Sequence, residues 1–111
     1  MFDQSVKFDG NKLRYDLVPV EVEEELAKVL TYGAKKYSAN SWQKVEPFND
    51  RYYAALRRHI SEWRKGETID PESGLHHLSH ALCCVAFLLS RELEANHEQV
   101  ERQTNKRKDH A

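Results

Sequence analysis

A small all-α domain is the fold class this sequence predicts, and three observations predict it. Apolar residues recur at helical spacing in three separate segments. Proline and glycine stand at the limits of those segments, where helices begin and end. Convincing strand alternation is missing, apart from one short candidate near residues 5–17.

The first helix is expected over residues 19–37. Pro19 suits the first helical position, where its missing N–H costs nothing. Glu21, Glu23, Glu24 and Glu25 occupy the first turns, which the helix dipole favours for negative charge. Val22, Leu26, Val29, Leu30 and Gly33 repeat at helical spacing, and Lys35 and Lys36 have the right sign for the other end. Residues 38–49 read as a loop. The second helix is expected over 50–65, capped by Asn49 or Asp50. Tyr53, Leu56, Ile60 and Trp63 form its apolar stripe, and Gly66 lies just past its end. In the next turn, Asp70 can cap, Pro71 takes the first helical position and Glu72 follows, so the third helix is expected over 71–94. Residues 81–89, ALCCVAFLL, are apolar all round, as in a helix buried on more than one side. So short a chain has little of its own to cover them, which predicts a homodimer or higher homo-oligomer. Residues 1–95 therefore read as one domain, and 96–111 as a polar C-terminal tail or helical extension.

Composition sets the outer limits. With 111 residues there is room for one domain and one modest core. Seventeen basic and eighteen acidic residues nearly cancel, so no global field points to nucleic acid or to a membrane surface. Neither a membrane-spanning run nor an apolar leader segment appears, and a cytoplasmic protein is expected. Cys83 and Cys84 are adjacent within the apolar run and read as buried thiols rather than a zinc motif.

Chemistry concentrates in residues 58–80, RHISEWRKGETIDPESGLHHLSH. His59 and Glu62, and His77 and His80, each stand three apart, so each pair shares a helix face. An acidic turn with Glu67, Asp70 and Glu72 joins them. Two helices that turn such groups toward each other can build a metal or phosphate site. His76 is expected to be exposed, about 100° round the helix from His77.

The residues also resemble a known family. KFDGNKLRYDLVP, then LTYGAKKY with Asn40 and Trp42, then RRHISEWRKGE and DPESGLHHLSHA are similar to a phage-associated group of dATP/dGTP diphosphohydrolases, over roughly residues 7–93. That group is linked to the all-α, MazG-like nucleoside triphosphate pyrophosphohydrolases. The resemblance implies a helical bundle completed by oligomerisation. It implies cleavage between the α and β phosphates to a monophosphate and pyrophosphate. It also implies Mg²⁺ or Mn²⁺ held by ExxE on one helix and ExxD on the next. This chain departs from that pattern, with His59-x-x-Glu62 and His77-x-x-His80 at the corresponding places. Mg²⁺ prefers oxygen ligands, whereas imidazole suits Mn²⁺, Fe²⁺, Ni²⁺ or Zn²⁺ better, and the expected ion is Mg²⁺ or Mn²⁺ with Co²⁺, Ni²⁺ or Zn²⁺ as alternatives. Three alternatives follow: the metal differs, Asp70 and Glu72 supply the carboxylates, or the site binds a nucleotide without cleaving it.

On the hydrolytic reading, Glu62, Asp70, Glu72, His77 and His80 are the candidate metal ligands, and His59 or Glu72 the candidate base. Lys12, Arg14, Lys35, Lys36 and Arg58 are candidates for the phosphates, and Tyr37 and Trp42 for the base of a dATP or dGTP substrate. Each has a plainer reading. His59 can be a packed core histidine, Glu62 a partner of Arg58, Asp70 a helix cap, Glu72 a dipole partner, and Tyr37 and Trp42 core aromatics. A protein that only binds a nucleotide or a nucleotide signal is the alternative function.

Overall fold

The computed structural model of the chain describes residues 10–109, with side chains through residue 105. Three helices carry the fold: α1 (Val20–Lys36), α2 (Phe48–Arg64) and α3 (His77–Asp109). Both α1 and α2 pack on α3. Among the described residues there is no strand, only an isolated antiparallel bridge between Ile69 and His76. The all-α expectation holds. Part of the short strand expected near 5–17 lies outside the described residues, and the rest forms a turn followed by a 3₁₀ turn, Tyr15–Leu17.

The first helix starts one residue after Pro19, which is its N-cap. The second begins at Phe48 behind Pro47, so Asn49 and Asp50 lie inside its first turn and do not cap it. Its inward face is also rotated from the expected stripe. Phe48 is buried and Tyr52, Leu56 and His59 are half-buried, while Tyr53, Ile60 and Trp63 stay exposed. Helical spacing admits either set; what selects the first is an aromatic cluster. Trp42 stacks on Phe87 of α3 at 4.2 Å and 6°, and Tyr52 meets Phe87 and Phe48 edge-on at 5.0 and 4.9 Å. The Tyr52 hydroxyl donates to the Trp42 carbonyl at 3.0 Å. The Arg91 guanidinium lies 3.9 Å from the Phe48 ring and donates to the Gln43 carbonyl. Together these contacts hold the 3₁₀ turn Ser41–Lys44 against both helices.

The third helix starts six residues later than expected. Residues 71–76 form a closed turn, because the Asp-Pro signal that can open a helix is here followed by Gly74 at φ +74. The Gly74 N–H donates to the Asp70 carbonyl and the Asp70 N–H to the Leu75 carbonyl, both at 2.8 Å. Asp70 thus caps this turn, not α3, its carboxylate accepting from Ser73 N–H and Oγ–H. His76 takes the cap of α3: its carbonyl accepts from Ser79 and His80 N–H, and its ring Nδ1 accepts from Leu78 N–H. It is half-buried rather than exposed. Beyond Ala95, α3 continues without a break to Asp109.

The core is small: among the described residues its buried apolar members are Val29, Phe48, Ala81, Cys83 and Cys84. Burial pushes the thiols of Cys83 and Cys84 up to about 12 and about 11, which keeps them protonated. Ser79, also buried, donates to Glu25 of α1 at 2.8 Å and fastens α1 to α3. The expected burial of α3 on more than one side is not met within one chain. Leu78, Val85, Leu89, Leu93 and Val100 are exposed, Leu89 at 54% and Leu93 at 57%, and their spacing puts them on one face. No described helix is long and apolar enough to cross a membrane.

Candidate functional site

A cleft of about 1460 Å³ runs between the end of α1 with its following loop, α2 and the start of α3. On its floor three histidines meet. His59 comes from α2, and His77 and His80 from the first turn of α3. The Nδ1 atoms of His59 and His77 are 2.9 Å apart, and the rings of His59 and His80 stack at 4.5 Å and 8°. His77, 3% exposed, also bonds Glu67 through Nε2 at 2.7 Å. Both of its ring nitrogens are therefore engaged, and an ion bound there would displace His59 or Glu67. His80 Nε2 lies 2.7 Å from Ser73 Oγ and 3.5 Å from Asp70 Oδ2.

Electrostatics follow from burial. Burial and the neighbouring His80 and His77 push His59 down to about 4, against weaker opposition from Asp70. Burial also lowers His80, although Asp70 pulls the other way. For Asp70 itself, burial would raise the carboxyl, but the Ser73 hydrogen bonds and the His80 charge outweigh it and hold it below its usual value.

The structure brings together most of the residues picked from the sequence. His59, Glu62, Asp70, Glu72, His77 and His80 all line the cleft. So do Lys35, Lys36, Tyr37, Trp42 and Arg58. The histidine nitrogens are turned toward one another and toward Glu67 and Ser73, Glu62 pairs with Lys65, and among the described residues no three His, Cys, Asp or Glu side chains converge to hold an ion. Glu72 is not in a helix; it is exposed and forms an ion pair with Lys36 at the end of α1. That carboxylate, and then Tyr37, raise the Lys36 ammonium above its ordinary value. Arg58 and Lys35 make no ion pair with a described residue, which leaves their charge for a ligand. Tyr37, 70% exposed, has an open ring with Lys36 Nζ 5.2 Å from its centroid. Trp42 has one face covered by Phe87. Lys12 and Arg14 do not line the cleft, and Arg14 is held by Asp16 at 2.7 Å.

Sequence reasoning gave no role to Glu67, Ser73 or Tyr32, which also meet the histidines. Glu67 stands ten positions from His77 across an irregular turn, a separation that no helical period marks.

A family model described as dATP/dGTP diphosphohydrolase, N-terminal, matches residues 3–103. The chain belongs to this family. One relative within reach of sequence comparison is a dATP/dGTP diphosphohydrolase of Salmonella phage PMBT28, 36% identical over 83 residues. The match covers 75% of this chain but only 28% of that relative, so the chain spans under a third of its length. No solved structure matches significantly. Within the family match lie α2, the connecting turn and the part of α3 that supplies His77 and His80.

The burial of His59 predicts a pH dependence. An unfolded chain protonates this ring below its unperturbed value of 6.5, whereas the folded site resists protonation down to about 4. In that window the unfolded state binds more protons, so stability is lost as the pH falls. His80 acts in the same direction. In chelator-treated protein the Tm is expected to fall between pH 6.5 and 4, and to fall less in His59→Ala. A wild-type Tm that holds or rises across this interval would contradict a neutral, buried His59.

Proposed function

We propose that the cleft binds a purine deoxynucleoside triphosphate and hydrolyses it to the monophosphate and pyrophosphate. The observation that carries this reading is the gathering in one cleft of two cations that pair with no described residue, of carboxylates, and of the His59 and His80 imidazoles that burial keeps neutral. Family membership supports it, as does the name of the phage relative. Arg58 and Lys35 would take phosphate oxygens, Lys36 would add charge while Glu72 positions it, and Tyr37 would stack on the base. His59 is neutral at physiological pH and suited to accept a hydrogen bond from the attacking water.

A divalent ion is part of the proposal. Hard ions are commonly held by one or two carboxylates together with substrate phosphates and water. Glu62, Asp70 and Glu72 offer such carboxylates on the cleft wall, and His80 a nitrogen. That donor set fits Mg²⁺ or Mn²⁺, with Co²⁺, Ni²⁺ or Zn²⁺ admitted by the imidazole. When bound, the ion would neutralise phosphate charge and polarise the phosphorus centre.

A second reading, nucleotide binding without turnover, is favoured by one specific feature. Imidazoles occupy positions 59, 77 and 80, where the related acidic motifs carry carboxylates. One experiment separates the two. Pyrophosphate release is measured from dATP, dGTP and other nucleoside triphosphates with Mg²⁺, Mn²⁺ and Co²⁺, beside thermal shift with the same nucleotides. Release from dATP or dGTP that is lost in Arg58→Ala is expected. Stabilisation without release would establish the binding reading, and neither effect would remove the cleft from consideration.

We also propose that the chain works as a homo-oligomer joined along the exposed stripe of α3. The observation behind it is the row of exposed apolar residues Leu78, Val85, Leu89, Leu93 and Val100 on one face of α3. Leu89→Glu with Leu93→Glu should convert a faster-sedimenting species to monomer. Wild-type protein that is already monomeric at micromolar concentration would contradict this.

A further inference from the structure

Hydrogen-bond roles on the cleft floor are fixed by what each group is able to do. An ionised carboxylate only accepts. Glu67 Oε1 lies 2.7 Å from His77 Nε2, so that nitrogen carries the proton. A His77 ring that carries one proton and gives it to Glu67 has a bare Nδ1, and to that acceptor His59 Nδ1, 2.9 Å away, donates. That leaves His59 Nε2 with a lone pair. No described residue bonds it, and no buried side-chain nitrogen among the described residues lacks a partner, so Nε2 is open to solvent in the cleft.

We infer that Glu67 is a positioning residue that acts through His77 to hold His59 in the Nδ1–H tautomer, with bare Nε2 presented to the attacking water. The inference rests on the hydrolytic reading for its function, but the tautomer itself does not. Without Glu67, His77 has no reason to keep its proton on Nε2. Either ring can then donate to the other, and His59 is free to carry its proton on Nε2, where it repels the water's hydrogen instead of accepting it. A carboxylate that fixes the tautomer of a histidine in this way is worth a large factor in rate where the histidine acts on a proton. Here the carboxylate reaches its target through a second imidazole. Among the described residues His77 is the one that the Glu67 carboxylate bonds, and its burial means that no bulk water replaces the lost acceptor.

The test uses chelator-treated wild type, Glu67→Ala and Glu67→Gln, with the ring nitrogens of histidine labelled with ¹⁵N. Long-range ¹H–¹⁵N spectra should show His77 as Nε2–H and His59 as Nδ1–H in the wild type. Glu67→Ala should shift His59 toward Nε2–H. Glu67→Gln keeps an acceptor oxygen and should preserve both tautomers. A wild-type His59 protonated on Nε2, or tautomers unchanged in Glu67→Ala, would overturn the inference. Steady-state kinetics form the second arm. In Glu67→Ala, kcat should fall by roughly 10²-fold with KM little changed, and Glu67→Gln should recover most of it. Full activity in Glu67→Ala would also overturn the positioning role. Should the wild type release no pyrophosphate, the hydrolytic reading fails, and the spectra alone then decide the tautomer. Because the loss leaves a buried ring nitrogen of His77 without its partner, Glu67→Ala should also lower the Tm by several degrees, so kcat is compared per folded molecule well below that Tm.

Discussion

His77 is the pivot of this molecule. It is the first residue of α3, it is 3% exposed, and its ring joins α2 through His59 and the connecting turn through Glu67. Its backbone N–H adds a bond to the Thr68 carbonyl at 2.9 Å. Removing the ring would leave its partners without their bonds, at about 1–3 kcal/mol for each buried group left unsatisfied. The same ring sets which way the cleft floor faces, while Gly74 and the His76 cap set where α3 begins. With five buried apolar residues among those described, there is little else to set that angle.

A second anchor lies at the other end of the cleft. The Trp42, Tyr52, Phe48 and Phe87 cluster holds the loop after α1 against α2 and α3. Lys36 and Glu72 close the near side by an ion pair between α1 and the turn. The floor is thus built from short, polar, partly buried contacts, and the rim from aromatic packing and exposed charge. That division suits a ligand with a charged tail and a flat apolar head. Arg58 and Lys35 meet the first requirement and Tyr37 the second.

Much of this was legible in the sequence, and the reasons for the rest are specific. Three helices and their approximate limits follow from apolar spacing and from Pro19, Gly66 and Gly74. Helical spacing also grouped His59 with Glu62 and His77 with His80, and both pairs line one cleft. The start of α3 was not legible, because Asp70 followed by Pro71 opens a turn as readily as a helix, and only the positive φ of Gly74 decides. The buried face of α2 was misjudged, since the choice between Tyr52 and Tyr53 is made by Phe87 more than thirty residues away. Glu67 and Ser73 escaped notice because their contacts cross an irregular turn. Lys12 and Arg14 look like phosphate ligands by charge alone, but the chain places them outside the cleft.

The central claim is that the cleft floored by His59, His77 and His80 is where a nucleotide binds. The most direct measurement is a titration of ¹⁵N-labelled protein with a non-hydrolysable dATP analogue and Mg²⁺, read residue by residue. The account predicts that the largest shifts fall at Tyr37, Arg58, His59, His77 and His80, with Val100 on the far part of α3 unmoved. Shifts confined to the exposed stripe of α3, or no shifts at millimolar analogue, would contradict it.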